Sequence, residues 1–87
     1  MEEVYVVIVS YLNVDEGACE NSIQVYDSLN KATQRMKLEI EDAKMHFQNY
    51  NYDDDTYSDG DMEYSIWESG EYLSHHITIE IAQCGID

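Results

Sequence analysis

The chain has very few basic side chains. Its 87 residues include 4 Lys and Arg against 19 Asp and Glu, which gives a formal net charge of −15. All four basic residues, Lys31, Arg35, Lys37 and Lys44, lie within residues 29–50 together with three acidic ones. That segment nets 4 − 3 = +1, so the other 65 residues carry −16. Such a field repels nucleic acid and anionic lipid and attracts basic surfaces, so we expect neither nucleic-acid nor membrane binding.

Proline is absent, and no internal repeat or Pro/Ser-rich linker divides the chain, so its length predicts one domain over residues 1–87. The two cysteines, Cys19 and Cys84, lack CxxC spacing, and free thiols are typical of a reducing cytoplasm. The opening MEEVYVVIVSYL has acidic residues before its apolar run, unlike a secretory signal peptide, and the run is too short to span a bilayer. We therefore expect a cytoplasmic protein of a host cell.

Catalytic and metal-binding patterns are also missing. The carboxylates form no distinctive pair, no Ser/His/Asp or Cys/His spacing stands out, and no glycine-rich loop precedes a helix, so we expect no enzyme and no cofactor. An EF-hand loop starting at Asp55 would place Ile66 at position 12, where calcium needs a bidentate Glu. His75 and His76 are adjacent on a strand and face opposite ways, which predicts one core and one surface histidine. Divalent-cation binding remains only as a third hypothesis.

The remaining pattern predicts an α+β fold with the order ββαββ. Apolar residues recur at steps of three and four from residue 29 to 50 and predict an amphipathic helix of about six turns, with an N-cap at Asp27-Ser28. We expect its buried stripe at Leu29, Ala32, Met36, Ile40, Ala43, Phe47 and Tyr50. Strands are expected at Val4–Leu12, Ile23–Tyr26, Met62–Trp67 and Tyr72–Ala82. They would form a four-stranded, mostly antiparallel sheet in the order 2-1-4-3, with the helix packed on one face.

The first strand is apolar on both faces, and a single helix can cover only one side of the sheet. We assign to the helix side Val4, Val6, Ile8 and Leu12 of the first strand, and Leu73, His75, Ile77, Ile79 and Ile81 of the last. We assign to the far side Tyr5, Val7, Val9, Tyr11, Thr78, Glu80 and Trp67. That open patch either docks a partner or a second copy, or it consists of solvated cross-strand pairs.

An acidic stretch over residues 51–71 follows the helix and contains no Lys or Arg. Its first half cannot bury enough apolar surface to fold by itself, so we expect a solvated acidic loop between the helix and the third strand. The candidate partner-binding carboxylates are Asp53, Asp54, Asp55, Asp59, Asp61, Glu63, Glu68 and Glu71. Tyrosine and tryptophan are typical interface anchors, and the candidate anchors are Tyr57, Tyr64 and Trp67.

Two short motifs resemble known proteins. Val4-Tyr5-Val6-Val7 and the junction Val25-Tyr26-Asp27-Ser28-Leu29-Asn30-Lys31-Ala32 are similar to small phage- and prophage-encoded proteins of unassigned function. Those open with a "VYVV" strand and enter their helix through a "V-(F/Y)-D-S-L-x-K-A" turn, and Trp67-Glu68 is similar too. The resemblance implies a mobile-element context and transfers no functional residues. By size and charge alone, the chain also resembles DNA-mimic anti-defence inhibitors, with which it shares no motif.

The leading hypothesis is therefore a non-enzymatic, phage-type inhibitor of anti-CRISPR or anti-restriction kind. It would mimic nucleic-acid charge and block the basic nucleic-acid-binding surface of a host defence or DNA-processing protein. The alternative is a non-enzymatic protein–protein interaction module, dimeric through its open sheet face, whose acidity serves solubility. Neither hypothesis requires a cofactor.

Overall fold

The computed structural model describes residues 2–58 and 60–86, except for the side chains of Glu2 and Ile86. Its elements are β1 (Glu2–Asn13), β2 (Ala18–Tyr26), α1 (Leu29–His46), β3 (Tyr52–Asp54), β4 (Glu63–Glu68) and β5 (His75–Ile86). The strands form one antiparallel sheet in the order β2-β1-β5-β4-β3. The helix packs on one side of this sheet, chiefly over β1 and β5. The predicted α+β class is confirmed.

The prediction of four strands and an acidic loop is wrong in one respect, because β3 is a fifth strand. Aspartate is depleted in strands, so the local sequence favoured a loop at Tyr52–Asp54. The backbone nevertheless pairs with β4: Ser69 N–H donates to Asn51 O at 2.8 Å, and Asp55 N–H donates to Ser65 O at 2.9 Å. The other four strands have the predicted order, and β3 adds to the outer edge of β4.

The helix begins as predicted and ends earlier. Ser28 is its N-cap, since Ser28 Oγ accepts the Lys31 N–H at 3.1 Å. Its 18 residues make about five turns rather than six. The central stripe is buried at Ala32, Met36, Ile40, Ala43 and Phe47, whereas Leu29 and Tyr50 at its two ends are exposed. No helix among the described residues is long and apolar enough to cross a membrane.

The face assignment of β1 is wrong. Val7 is only 1% exposed and belongs to the core. It lies directly opposite Ile81, and Val9 lies opposite Ile79; opposed residues in an antiparallel pair share a face. The helix side therefore carries Tyr5, Val7, Val9 and Tyr11, and the far side carries Val4, Val6, Ile8 and Leu12. Because β1 is apolar at both parities, its own pattern could not select a face, and its pairing with β5 does.

No helix of the described residues packs against the far side of the sheet, here called the open face. It carries Val4, Val6, Ile8 and Leu12 of β1, Ile23 and Val25 of β2, Glu63 and Trp67 of β4, and His76, Thr78 and Glu80 of β5. Thr78, Glu80 and Trp67 lie there as predicted. Ile23 is 65% and Val25 is 61% exposed.

Of the residues assigned to the buried side of the last strand, only Leu73 is exposed, because β5 begins after it, at His75.

The corrected face of β1 predicts losses of stability of different size at two neighbouring valines. We expect Val7→Ala to lower the free energy of unfolding by about 2 kcal/mol, since it removes two methyl groups from the core. Val6→Ala, on the half-buried open face, should lower it by less than half as much. Urea denaturation followed by circular dichroism measures both. A larger loss for Val6→Ala would restore the assignment made from the sequence.

Candidate functional site

The acidic residues at the end of the sheet are held in place by hydrogen bonds to β4 and the turn after it. Asp53 Oδ2 accepts the Ser69 hydroxyl at 3.1 Å, and Asp55 Oδ2 accepts the Ser65 N–H at 3.1 Å. Asp53, Asp54 and Asp55 are nevertheless exposed. Each ionised carboxylate has about four acceptor positions, so these bonds leave acceptor capacity toward the outside. The three charges therefore combine a fixed position with access to a partner. We call them the β3 edge.

Tyr64 positions the middle carboxylate of the β3 edge. Its hydroxyl donates to Asp54 Oδ2 at 2.6 Å, and its side chain is 0% exposed. Burial and the Asp54 carboxylate raise the pKa of this hydroxyl well above its ordinary value. The prediction of Tyr64 as an exposed anchor is therefore wrong: it lies opposite Ile79, on the helix side. Tyr64 therefore supports the acidic surface from the core, by holding the Asp54 carboxylate in position.

The other two candidate anchors differ in position. Tyr57 is half-buried and packs against the core, with its ring edge-on to Tyr64 at 6.5 Å. Trp67 is half-buried on the open face, where its ring packs edge-on against Tyr72 at 5.0 Å. Tyr72 in turn stacks on His76 at 5.4 Å. Of the three candidates, Trp67 is the one whose ring lies on the open face.

The remaining candidate carboxylates are spread over two loops and both sides of the sheet. Asp61 Oδ2 accepts the Ser58 N–H at 2.9 Å and closes the turn before β4, and Glu71 Oε2 accepts the Ser74 hydroxyl at 2.8 Å. Asp59 lies outside the described residues. Glu63 is on the open face, whereas Glu68 points to the helix side, where it contacts His75. Glu63 therefore shares the open face with Asp53, which lies opposite Trp67, whereas Asp54, opposite Ile66, lies on the helix side with Glu68.

Glu63 and Glu80 lie directly opposite each other on the open face. Like charges in directly opposed positions destabilise a sheet. The five strands contain no Lys or Arg, so no strand residue can neutralise the pair. The next residue along the same row is Ile8 of β1, which is apolar. A cation supplied from outside the chain would relieve this repulsion.

The basic residues are confined to the helix, on the other side of the sheet. Lys31 Nζ pairs with Asp27 at 3.0 Å, and Arg35 pairs with Glu39. These are pairs between residues four apart and are therefore local to the helix. The fold thus separates the basic side chains of the helix from the carboxylates of the β3 edge and from the Glu63–Glu80 pair on the open face. The sequence had indicated that the basic residues cluster within residues 29–50, and the packing of the helix on one side of the sheet decides their position in space.

A histidine cluster joins the end of α1 to the sheet, and sequence reasoning missed it. His46 Nε2 lies 3.0 Å from His75 Nε2, and His75 Nδ1 lies 3.0 Å from Glu68 Oε1. An ionised Glu68 can only accept, so His75 Nδ1–H donates to it and a neutral His75 leaves its Nε2 as an acceptor. His46 Nε2–H therefore donates to His75. The three residues are 22 and 7 positions apart in sequence, so no local pattern could have found them.

The cluster sits among aromatic rings. Phe47 lies 4.5 Å and Tyr50 lies 5.1 Å from the His75 ring, and Tyr11 packs edge-on to His46 at 5.2 Å. As predicted, His75 is buried and His76 points to the opposite face of the sheet. A groove of about 300 Å³ opens beside His46, with Tyr11 on its wall and Glu20, Glu39 and Asp42 around it. Among the described residues, no group of three or more His, Cys, Asp and Glu side chains is arranged to hold a metal ion.

The Tyr64–Asp54 contact predicts a loss of stability at high pH. In the unfolded chain a tyrosine ionises near pH 10, whereas the raised pKa of Tyr64 keeps it protonated in the folded protein. The free energy of unfolding should therefore fall above about pH 10, and Tyr64→Phe should make this fall shallower. Exposed Tyr72→Phe is the control. Equal slopes for the two variants in urea denaturation from about pH 8 to 10.5 would contradict the contact.

The histidine cluster predicts a second pH dependence, of opposite direction. Partial burial and the neighbouring His75 ring lower the pKa of His46, against a weaker opposing effect of Glu16. The unfolded chain then binds the proton on this histidine more tightly than the folded protein does. The contribution of His46 to the free energy of unfolding should therefore be fully present above about pH 6.5 and decrease as the pH drops below it. His46→Gln keeps a donor to His75 and removes the titration. Its free energy of unfolding should fall less than that of the wild type between about pH 7 and 5.

No family model, no curated protein and no solved structure matches this chain. Its acidic sheet surface, comprising the β3 edge and the Glu63–Glu80 pair, is the candidate site.

Proposed function

We propose that the protein is a non-enzymatic inhibitor whose acidic sheet surface occupies the basic nucleic-acid-binding surface of another protein. The observation that carries this proposal is the β3 edge: three consecutive carboxylates, exposed and each hydrogen-bonded in place. Charges on a mobile loop would lose conformational entropy on binding. Charges that are already ordered avoid that loss.

The geometry is compatible with replacement of phosphates. Alternate residues of a strand lie about 7 Å apart, whereas one DNA strand presents a phosphate every ~3.4 Å along the helix axis. One strand is therefore a sparse copy, and Glu63 and Glu80 on the adjoining open face add to the density. Arginine and lysine contacts to phosphates respond to charge and position rather than to bases. A groove built for phosphates can accept carboxylates in the same way.

The proposed class of target rests on the acidic surface and on the sequence resemblance. Similarity of the VYVV strand and the V-Y-D-S-L-x-K-A junction to phage- and prophage-encoded proteins supports action inside a host cell. The proposed target is a host defence or DNA-processing protein. The inhibitor itself would then be of the anti-CRISPR or anti-restriction type. Inhibition would be competitive, by charge and by steric exclusion, without turnover.

Displacement of labelled duplex DNA tests the proposal. A panel of purified restriction enzymes, CRISPR effectors and DNA repair enzymes is loaded with fluorescent duplex, and anisotropy follows its release. The wild type should displace the duplex from at least one enzyme, and Asp53→Asn/Asp54→Asn/Asp55→Asn should be at least tenfold weaker. Competition should also weaken at least tenfold between about 50 and 200 mM salt.

A control variant separates position from net charge. Asp15→Asn/Glu41→Gln/Asp42→Asn removes the same three charges from exposed positions of the β1–β2 turn and the helix, so it should retain displacement. If both triple variants lose displacement equally while circular dichroism shows that both are folded, displacement depends on net charge alone and not on the position of the carboxylates. Undiminished displacement by the β3-edge variant would refute the proposal.

A second candidate function rests on the open face itself. Exposed Ile23 and Val25 adjoin Ile8 and Val6 in neighbouring rows of the sheet, and contiguous apolar surface of this kind is typical of interaction sites. The protein would then be an interaction module, dimeric through this face, with acidity serving solubility. Such a dimer should not weaken as salt is added, because its contacts are apolar. Ile8→Lys, which places a cation opposite Glu80, should dissociate it.

A further inference from the structure

The two edges of the sheet are built differently. The β3 edge strand has three residues, two of them aspartates. The other edge strand, β2, has nine residues, ACENSIQVY, with Glu20 as its single charge and no Lys or Pro. Short length, charge and proline are the usual protection of an edge strand against pairing with another chain. Strand β3 is short and charged, whereas β2 is long, carries one charge and contains no proline.

The outer edge of β2 is accessible from both sides. The helix lies chiefly over β1 and β5, so Glu20 and Ser22 on the helix side of β2 are exposed. On the open face, Ile23 and Val25 of the same strand are exposed as well. A second strand could therefore approach along the whole of β2 without displacing any part of the described fold.

We propose that β2 pairs antiparallel with β2 of a second copy of this chain, to form a continuous ten-stranded sheet. A two-fold axis at Ser22 sets the register. Glu20 then lies opposite Gln24 of the second copy, Asn21 opposite its Ile23, and Cys19 opposite its Val25. No two like charges are directly opposed, and the same strand serves both sides of the interface.

The pairing of Glu20 with Gln24 is chemically complementary. Gln24 Oε1 accepts the Tyr26 hydroxyl at 2.5 Å, which directs the carbonyl end of the amide to its own chain. The amide NH₂ can then donate to the Glu20 carboxylate of the second copy. A foreign strand would meet this register only by coincidence, whereas a second copy supplies it by symmetry. This is why we assign the edge to self-association.

Electrostatics make the dimer weak and dependent on salt. Each copy carries −15, but β2 holds one carboxylate and lies at the end of the sheet opposite the β3 edge. Pairing here keeps the two most acidic edges at the far ends of the ten-stranded sheet. Nine-residue strands bury less than a standard stable interface, so we expect an equilibrium between monomer and dimer. Added salt should favour the dimer by screening repulsion.

Sedimentation velocity over a range of protein concentrations tests the association. The dimer fraction should rise with concentration and rise again from about 50 to about 500 mM salt, the opposite of the salt response expected for the proposed inhibition. Ile23→Lys places a charge on the edge strand and should raise the dimer dissociation constant at least tenfold. Leu73→Lys makes the same charge change at a side chain 81% exposed in the turn before β5 and should leave the constant unchanged.

Cross-linking tests the register. In a Cys19→Ser/Cys84→Ser background, which removes both free thiols, Ser22→Cys places one thiol beside the two-fold axis. Directly opposed Cα atoms lie about 4.5–5.5 Å apart, within disulfide range, so mild oxidation should yield a covalent dimer. Leu73→Cys in the same background should not.

The outcomes separate the alternatives. A monomer at all concentrations and salts, or a Ser22→Cys yield no greater than that of Leu73→Cys, overturns the β2 dimer. A dimer that Ile8→Lys dissociates, and that Ser22→Cys cross-links no better than Leu73→Cys does, overturns it as well, in favour of the open face. Loss of DNA displacement leaves the β2 dimer unaffected, because this inference does not depend on the proposed inhibition.

Discussion

The antiparallel pairing of β1 with β5 is the interaction on which the rest of the structure depends. It runs from Glu2 opposite Ile86 to Asn13 opposite His75. Over residues 75–81, β5 alternates between buried residues (His75, Ile77, Ile79 and Ile81) and polar ones, whereas β1 is apolar on both sides. The pairing with β5 therefore decides which residues of β1 face the helix. It places Val7 under the helix and Val6 on the open face. The position of α1 and the exposure of the opposite side both follow.

Separation of charge is the second consequence of this arrangement. Every basic residue lies on the helix, and the helix covers one side of the sheet. The acidic residues at the other side and at the β3 edge then have no cation nearby in the strands. The fold tolerates the repulsion between Glu63 and Glu80, which a basic partner would relieve. Tyr64 supports the arrangement from inside, since its buried hydroxyl holds Asp54.

The two ends of the sheet offer different kinds of contact. The β3 edge carries charge and excludes another strand, whereas β2 offers backbone hydrogen bonds and little charge. A protein with these two edges can associate with itself at one and meet a basic partner at the other. The histidine cluster stabilises the intervening layer, because His46, His75 and Glu68 join α1, β5 and β4 by hydrogen bonds.

Local signals in the sequence determined the helix and its Ser28 cap, the buried face of the last strand and the confinement of positive charge. Each depends on residues within a few positions of one another. The face of β1, the strand at Tyr52–Asp54, the burial of Tyr64 and the contact of His46 with His75 were decided by the tertiary structure alone. Their energies come from a partner strand or helix distant in sequence, and a pattern within one segment contains no information about that partner.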